Sequence, residues 1–244
     1  METGKNYSTN ILRAYQRYLK LQRNYSANTI DAYKHDIKCL LDYSLKIGKN
    51  VLQLQLEDLQ NFAATIHEKG IGPTSQARIL SGVRSFYRYL LLDGYIDADP
   101  SELLESPNLG KHLPEVLSTQ EVDKLENVID LTTKEGQRNK AIIEVLFSCG
   151  LRVSELVNLK LSQLFLDEGF VQVIGKGRKE RLVPISQRAI KELNLWFYDR
   201  KQLNIKTGEE DYVFLNRRGS HLTRTMILIM IKKEAEKAGI KKTI

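Results

Sequence analysis

Arg152 and Lys176 are the residues of this chain whose types and surroundings best suit chemistry on an anion. Arg152 lies in SCGLRVSELVNL, just past Gly150, which reads as the end of one helix, and at the entry of the next. An arginine at such a junction offers a planar fork to two phosphate oxygens. Lys176 lies in VIGKGRKERLVP, where two short apolar runs flank a six-residue centre in which four residues are basic. A lysine on a tight turn can reach the same phosphate as a mobile cation and proton donor. Plainer readings stand beside this one. The turn is simply solvated, Arg152 is a surface residue paired with Glu155, or the glycine turn joins the two helices of a helix-turn-helix.

Other chemistries find little support. The Lys176 turn lacks the Gly-x-x-x-x-Gly-Lys-Ser/Thr pattern of a P-loop and the Gly-x-Gly-x-x-Gly of a dinucleotide fold. His35, His67, His112 and His221 are scattered, with no His-Glu-x-x-His and no Cys/His pairing, so no metal site is expected. The acidic run Glu209–Asp211 reads as a solvated loop.

The elements that must position Arg152 and Lys176 follow from the hydrophobic spacing. The 244 residues are 42% hydrophobic and 27% charged, with a formal net charge of +7, which favours an anionic partner. The excess is uneven: residues 1–110 hold 13 basic against 12 acidic side chains, and the remainder 24 against 18. Two cysteines, Cys39 and Cys149, read as free thiols suited to a reducing cytosol. No secretory leader is apparent, and the longest apolar run, Met226–Ile231, is far too short for a membrane span. A cytoplasmic protein without a membrane partner is expected.

The first hundred residues read as helices: one capped by Ser26, one closed by Gly70, and an amphipathic one with Ile79, Leu80, Val83, Phe86, Tyr87, Leu90 and Leu91 on its core stripe. A proline-bearing stretch between about Asp99 and Pro114 reads as a linker. Beyond it, Ser118 and Glu121 form a capping box, and RNKAIIEVLFSCG is a buried helix. GFVQVIGKG and RKERLVPI pair as a hairpin, SQRAIKELNLWFYDR is a helix capped by Ser186, DYVFLN is a strand, and a helix capped by Thr223 ends at Gly239. The class is mainly α with a small β-sheet (α+β), in two domains.

The paired segments GLRVSEL and GKGRKERLVP, with Arg152 and Lys176 24 positions apart, resemble the tyrosine recombinases, and among them the bacterial Xer type. SANTIDAYKHDI, TSQARILSGVRSFYRYL and DADPSELLESP are similar to that family's core-binding domain and linker. The resemblance implies a helical, SAM-like, core-binding DNA-binding domain over residues 1–103, a linker over 104–114 and a catalytic domain over 115–244. It implies site-specific recombination, in which a tyrosine attacks a phosphodiester to leave a 3′-phosphotyrosyl link and a free 5′-hydroxyl. Arg152 matches the arginine that holds a non-bridging oxygen, and Lys176 the lysine that protonates the departing 5′-oxygen. No metal or nucleotide cofactor is implied. Family members carry a His-x-x-Arg box and the nucleophilic tyrosine after a segment like AEKAGIKK, so this chain is expected to be truncated before both, to bind DNA and not to cut it.

Further expectations rest on the same likeness. The two domains would grip a double-stranded recombination site as a clamp, with Arg78, Arg84 and Arg88 touching DNA from the first and Lys179, Arg181 and Arg224 from the second. The partners implied are a second Xer-type subunit in a synaptic tetramer and a DNA translocase at the division septum. The process implied is resolution of chromosome dimers at cell division. A phage or transposon integrase and a non-catalytic DNA-binding regulator are the alternatives.

Overall fold

The computed structural model describes residues 2–110, 115–175, Gly177 and 179–242, with side chains from Asn10 onward. The chain divides into two compact units, Met1–His112 and Leu113–Ile244.

Among the described residues the first unit holds four α-helices: α1 (Glu2–Leu21), α2 (Ala27–Lys46), α3 (Leu56–Glu68) and α4 (Pro73–Leu92). Each begins where its sequence supplies a start signal. The Ser26 hydroxyl accepts from the Thr29 amide at 3.3 Å, Asp58 accepts from the Gln55 amide at 2.9 Å, and Pro73 takes the first position of α4. Apolar residues one turn apart then face inward. Ile11, Tyr15 and Leu19 of α1 meet Phe86, Tyr89 and Leu90 of α4 in one core. Tyr15 packs edge-on against Phe86, with ring centroids 5.2 Å apart. Burying each such ring stabilises by about 1.5–3 kcal/mol. The hydroxyls carried inside keep partners: Tyr15 donates to Ser85 Oγ at 2.9 Å and Tyr87 to the Val51 carbonyl at 2.8 Å. Leu104, within the proline-bearing stretch, is buried in this core.

The second unit runs α5 (Thr119–Asn127), α6 (Gly136–Cys149), α7 (Val153–Val157), β1 (Leu164–Phe165), β2 (Phe170–Ile174), β3 (Glu180–Pro184), α8 (Gln187–Arg200) and α9 (Arg224–Lys237). Ser118, Ser186 and Thr223 cap α5, α8 and α9 through their hydroxyls. The three strands form one antiparallel sheet in the order β1-β2-β3. In the β2–β3 hairpin Val171 faces Val183 and Val173 faces Arg181. Val171 and Val173 join Ile142, Val145, Leu156, Leu193 and Trp196 in the core.

The segment Asp211–Asn216 departs from the strand expected for it. Among the described residues it makes two isolated bridges, Lys160 with Tyr212 and Leu215 with His221. Beside backbone bonds with Leu159 and Leu161, side chains take two of its carbonyls: Trp196 donates to Val213 O at 2.9 Å and Arg200 to Tyr212 O at 2.8 Å. Backbone groups satisfied this way need no ladder. Val213, Phe214 and Leu215 are buried, which is why the stretch reads as β.

Candidate phosphate site and nucleic-acid interface

Gly150 closes α6 in the left-handed conformation (φ 56°, ψ 37°), and two residues later Arg152 occupies the N-cap position of α7 with extended backbone. The chain thus turns sharply and sets Arg152 at the mouth of a new helix. Its side chain is 73% exposed. Helix α7 has five residues, of which Glu155, Leu156 and Val157 are buried. So short and inward-facing a helix cannot read a DNA groove, and the helix-turn-helix alternative fails there.

Glu155 is the centre of the site. Its side chain is 5% exposed, yet it is charged and fully bonded. Oε1 accepts from Arg152 Nη1 and Arg181 Nη1, both at 2.9 Å. Oε2 accepts from the Arg152 amide at 2.9 Å and Arg181 Nη2 at 2.8 Å. The Arg181 fork is the largest of the influences that hold the Glu155 carboxyl down at about 2, and it outweighs the cost of burial. The sequence suggested the Arg152–Glu155 pair; Arg181 as its third member was not anticipated. The clue was present in the strand period: Arg181 and Val183 share one face of β3, and Val183 packs on the core.

The hairpin turn lies against this cluster. A Cβ placed on Gly175 would stand 3.4 Å from Arg181 Nη1 and 3.8 Å from Glu155 Oε1. Gly175 also donates its amide to the Lys179 carbonyl at 2.8 Å. Gly177 follows with φ 76°, a backbone region natural to glycine. Lys176 and Arg178 lie outside the described residues; Lys176 is bonded in sequence to Gly175, so the site's neighbour in the chain is the lysine chosen from the sequence.

The six arginines and lysines expected to touch DNA fall into two groups. Arg88, Lys179 and Arg224 are exposed, and Arg224 is the first residue of α9. Arg78, Arg84 and Arg181 are engaged by the protein itself. Arg78 Nη1 reaches Asp36 Oδ1 at 2.6 Å, and the Asp36 side chain is wholly buried. Arg84 donates to the Leu104 carbonyl at 2.7 Å and to Ser106 Oγ at 2.6 Å, tying down the segment after α4. Arg181 straddles Glu155.

A further set of cations was missed. Arg13, Arg17 and Lys20 form an exposed stripe on α1, opposite buried Ile11, Tyr15 and Leu19. With Lys34 of α2 they line an open groove of about 690 Å³. Among the described residues none of the four has a carboxylate within ion-pair distance. Their spacing of four and three residues on one helix face was legible, but a face of charges usually signals nothing beyond solvation.

Among the described residues there is no cluster of three metal-ligating side chains and no helix long and apolar enough to cross a membrane.

Residues 115–244 match the family model described as "Phage integrase family", and residues 12–94 match "Phage integrase, N-terminal SAM-like domain". Tyrosine recombinase XerD of Listeria innocua is 39% identical over 192 residues, which cover 78% of this chain and 65% of the relative. Tyrosine recombinase XerD of Pseudomonas putida is 42% identical over 177 residues, 72% of this chain and 59% of the relative. The chain therefore spans somewhat under two thirds of the length of these relatives. Among solved structures, the XerH site-specific recombinase bound to difH substrate in a pre-cleavage complex aligns with 97% of this chain and 69% of its own at a TM-score of 0.71 and 21% identity. That likeness supports the fold.

Proposed function

The chain belongs to the phage integrase family, and on that premise we propose that it acts on duplex DNA as an Xer-type tyrosine recombinase. The observation that carries the reading is the exposed Arg152 guanidinium, held by a saturated Glu155 beside the glycine that precedes Lys176.

In the proposed reaction a tyrosine oxygen attacks phosphorus, the P–O5′ bond breaks, and the new ester stores the bond energy for rejoining. Arg152 binds a non-bridging oxygen and stabilises charge building on the phosphoryl group. Lys176 gives its proton to the leaving 5′-oxygen.

Four of the eleven tyrosines are engaged within the protein. Tyr15, Tyr87 and Tyr89 are buried in the first unit, where burial pushes their hydroxyls far above the ordinary range. Tyr212 lies under the Lys160 ammonium at 3.1 Å and stacks on His221 at 4.5 Å. In this reading the nucleophile is none of these four, and the part proposed for residues 1–244 is to hold the phosphate. The partners proposed are a duplex recombination site, a further recombinase subunit in synapsis and a septal DNA translocase; the role is chromosome dimer resolution in the cytoplasm.

The test uses fluorescence anisotropy with a labelled duplex over a range of salt, beside a nicked, end-labelled duplex. A log–log slope of several units and no covalent adduct are expected. A salt-independent affinity sinks the DNA reading, and an adduct sinks the non-cleaving one.

A further inference from the structure

Arg181 was expected to reach DNA, yet its guanidinium is turned onto the protein. An ionised carboxylate offers about four acceptor positions, two on each oxygen. At Glu155 all of them are taken: Arg181 fills one on each oxygen, the Arg152 amide a third and Arg152 Nη1 the fourth. Arg152 therefore spends a single guanidinium N–H on Glu155. Of its five donors, the rest have no partner among the described residues, on a side chain that stays 73% exposed.

We propose that Arg181 is a positioning residue: by saturating Glu155 it keeps Arg152 from closing into a two-pronged pair with that carboxylate, and so leaves the Arg152 fork free for phosphate. The proposal rests on the reading of Arg152 as the phosphate-holding arginine.

The physical argument is one of competition. A buried carboxylate with two open acceptor sites draws the nearest guanidinium, and fork-to-fork pairing is the preferred geometry. Arg152 is anchored to Glu155 already, three residues along one turn, and a rotation would let its second nitrogen reach Oε2. With Arg181 present, Oε2 is occupied. With Arg181 removed, the competitor of a phosphate oxygen for Arg152 is the protein's own glutamate.

Arg181 also joins two pieces of the site. It stands on β3 opposite Val173, while Glu155 stands on α7. The same guanidinium lies against Gly175. The ion pair therefore fixes the base of the lysine-bearing turn to the helix that carries Arg152. A lysine at 181 preserves the charge but fills only one acceptor site well.

The experiment compares the chain with its R181Q, R181K, R152Q and R152Q/R181Q variants, each first shown to keep the parent's circular dichroism and melting profile. Binding of a labelled duplex is read by anisotropy, and the Arg152 guanidinium by its side-chain 15N resonances without DNA. R181Q and R152Q are each expected to weaken binding about tenfold. The double variant should be no weaker than R152Q, and R181K should recover part of the loss. In free R181Q the Arg152 resonances should shift and their solvent exchange slow.

Losses that multiply in the double variant would make Arg181 an independent DNA contact and overturn the proposal. So would unchanged Arg152 resonances in R181Q, whether or not DNA binds. Failure of the parent chain to bind any duplex would instead overturn the proposed function, leaving the resonances to decide the role of Arg181.

Discussion

Arg188, in the first turn of α8, extends its Nε to within 3.1 Å of Glu144 Oε2 on α6. The same guanidinium bonds Glu126 of α5 through Nη2 and Asp123 through Nη1 at 2.7 Å, so one arginine ties three helices. The Glu126 and Glu144 side chains are both buried; Glu126 Oε1 and Glu144 Oε2 have no hydrogen-bond partner among the described residues, so Arg188 faces Glu144 as a charge and not through a formed hydrogen bond. Two carboxylates thus share one cation in a poorly hydrated place.

That sharing predicts an unusual pH response. Burial and then the adjacent Glu144 raise the Glu126 carboxyl above its ordinary 4.5, against the pull of Arg188. A raised acid holds a proton in the folded chain that the unfolded chain has already released. Its contribution to stability is therefore complete below pH 4.5 and is lost as pH climbs above it. Urea unfolding of E126Q at a series of pH values should show a flatter profile above pH 4.5 than the parent; an identical slope refutes the assignment.

Glu155 gives the opposite sign. Its carboxyl is depressed to about 2 from 4.5, so the stability it contributes is present above pH 4.5 and lost as pH falls towards 2. E155Q removes charge-assisted hydrogen bonds and should cost about 2 kcal/mol at pH 7. The deficit against the parent should shrink on acidification, read by the same unfolding curves. A constant deficit would show that the carboxylate's charge is immaterial.

Two left-handed glycines in one loop should respond unequally to alanine. At Gly219 (φ 74°) a Cβ would meet the Asn204 carbonyl oxygen at 2.0 Å, whereas at Gly208 (φ 86°) it meets nothing within 4 Å. G208A should cost about 1 kcal/mol from backbone strain alone. G219A adds a collision with backbone and should cost about 3 kcal/mol or more. Equal thermal shifts in the two variants would contradict the packing described.

The exposed cations of α1 can be tested as a DNA surface of the first unit, apart from its scaffold. Each of R13Q, R17Q and K20Q is expected to lower the salt slope of duplex binding by about one without changing the melting temperature. R78Q should do the reverse. It leaves buried Asp36 without its cation, at about 3 kcal/mol of stability, and should hardly change the slope. A slope reduced by R78Q but not by the α1 variants would place the contact on α4.

Most local structure was legible from the chain. Ser26, Ser118, Ser186 and Thr223 mark their helices because a hydroxyl at an N-cap satisfies a donor that nothing else reaches. The hairpin's alternation and polar turn were equally readable. The reading failed where satisfaction came from distant side chains. Nothing near Asp211–Asn216 reveals that Trp196 and Arg200 will take its carbonyls. Charge was read with the same limit. Arg78, Arg84 and Arg181 look like solvated cations until Asp36, Leu104 and Glu155 arrive from elsewhere in the chain.

The carboxylate of Glu155 also sets how the site waits. It offsets one of the two arginines bonded to it, so the cluster carries a single net positive charge before any ligand arrives. Self-repulsion among the cations is relieved in advance, and the geometry need not reorganise when a phosphate enters. The same buried anion repels that phosphate. Grip is thereby exchanged for placement, the balance the proposed recombinase would need in order to release each DNA end it has held.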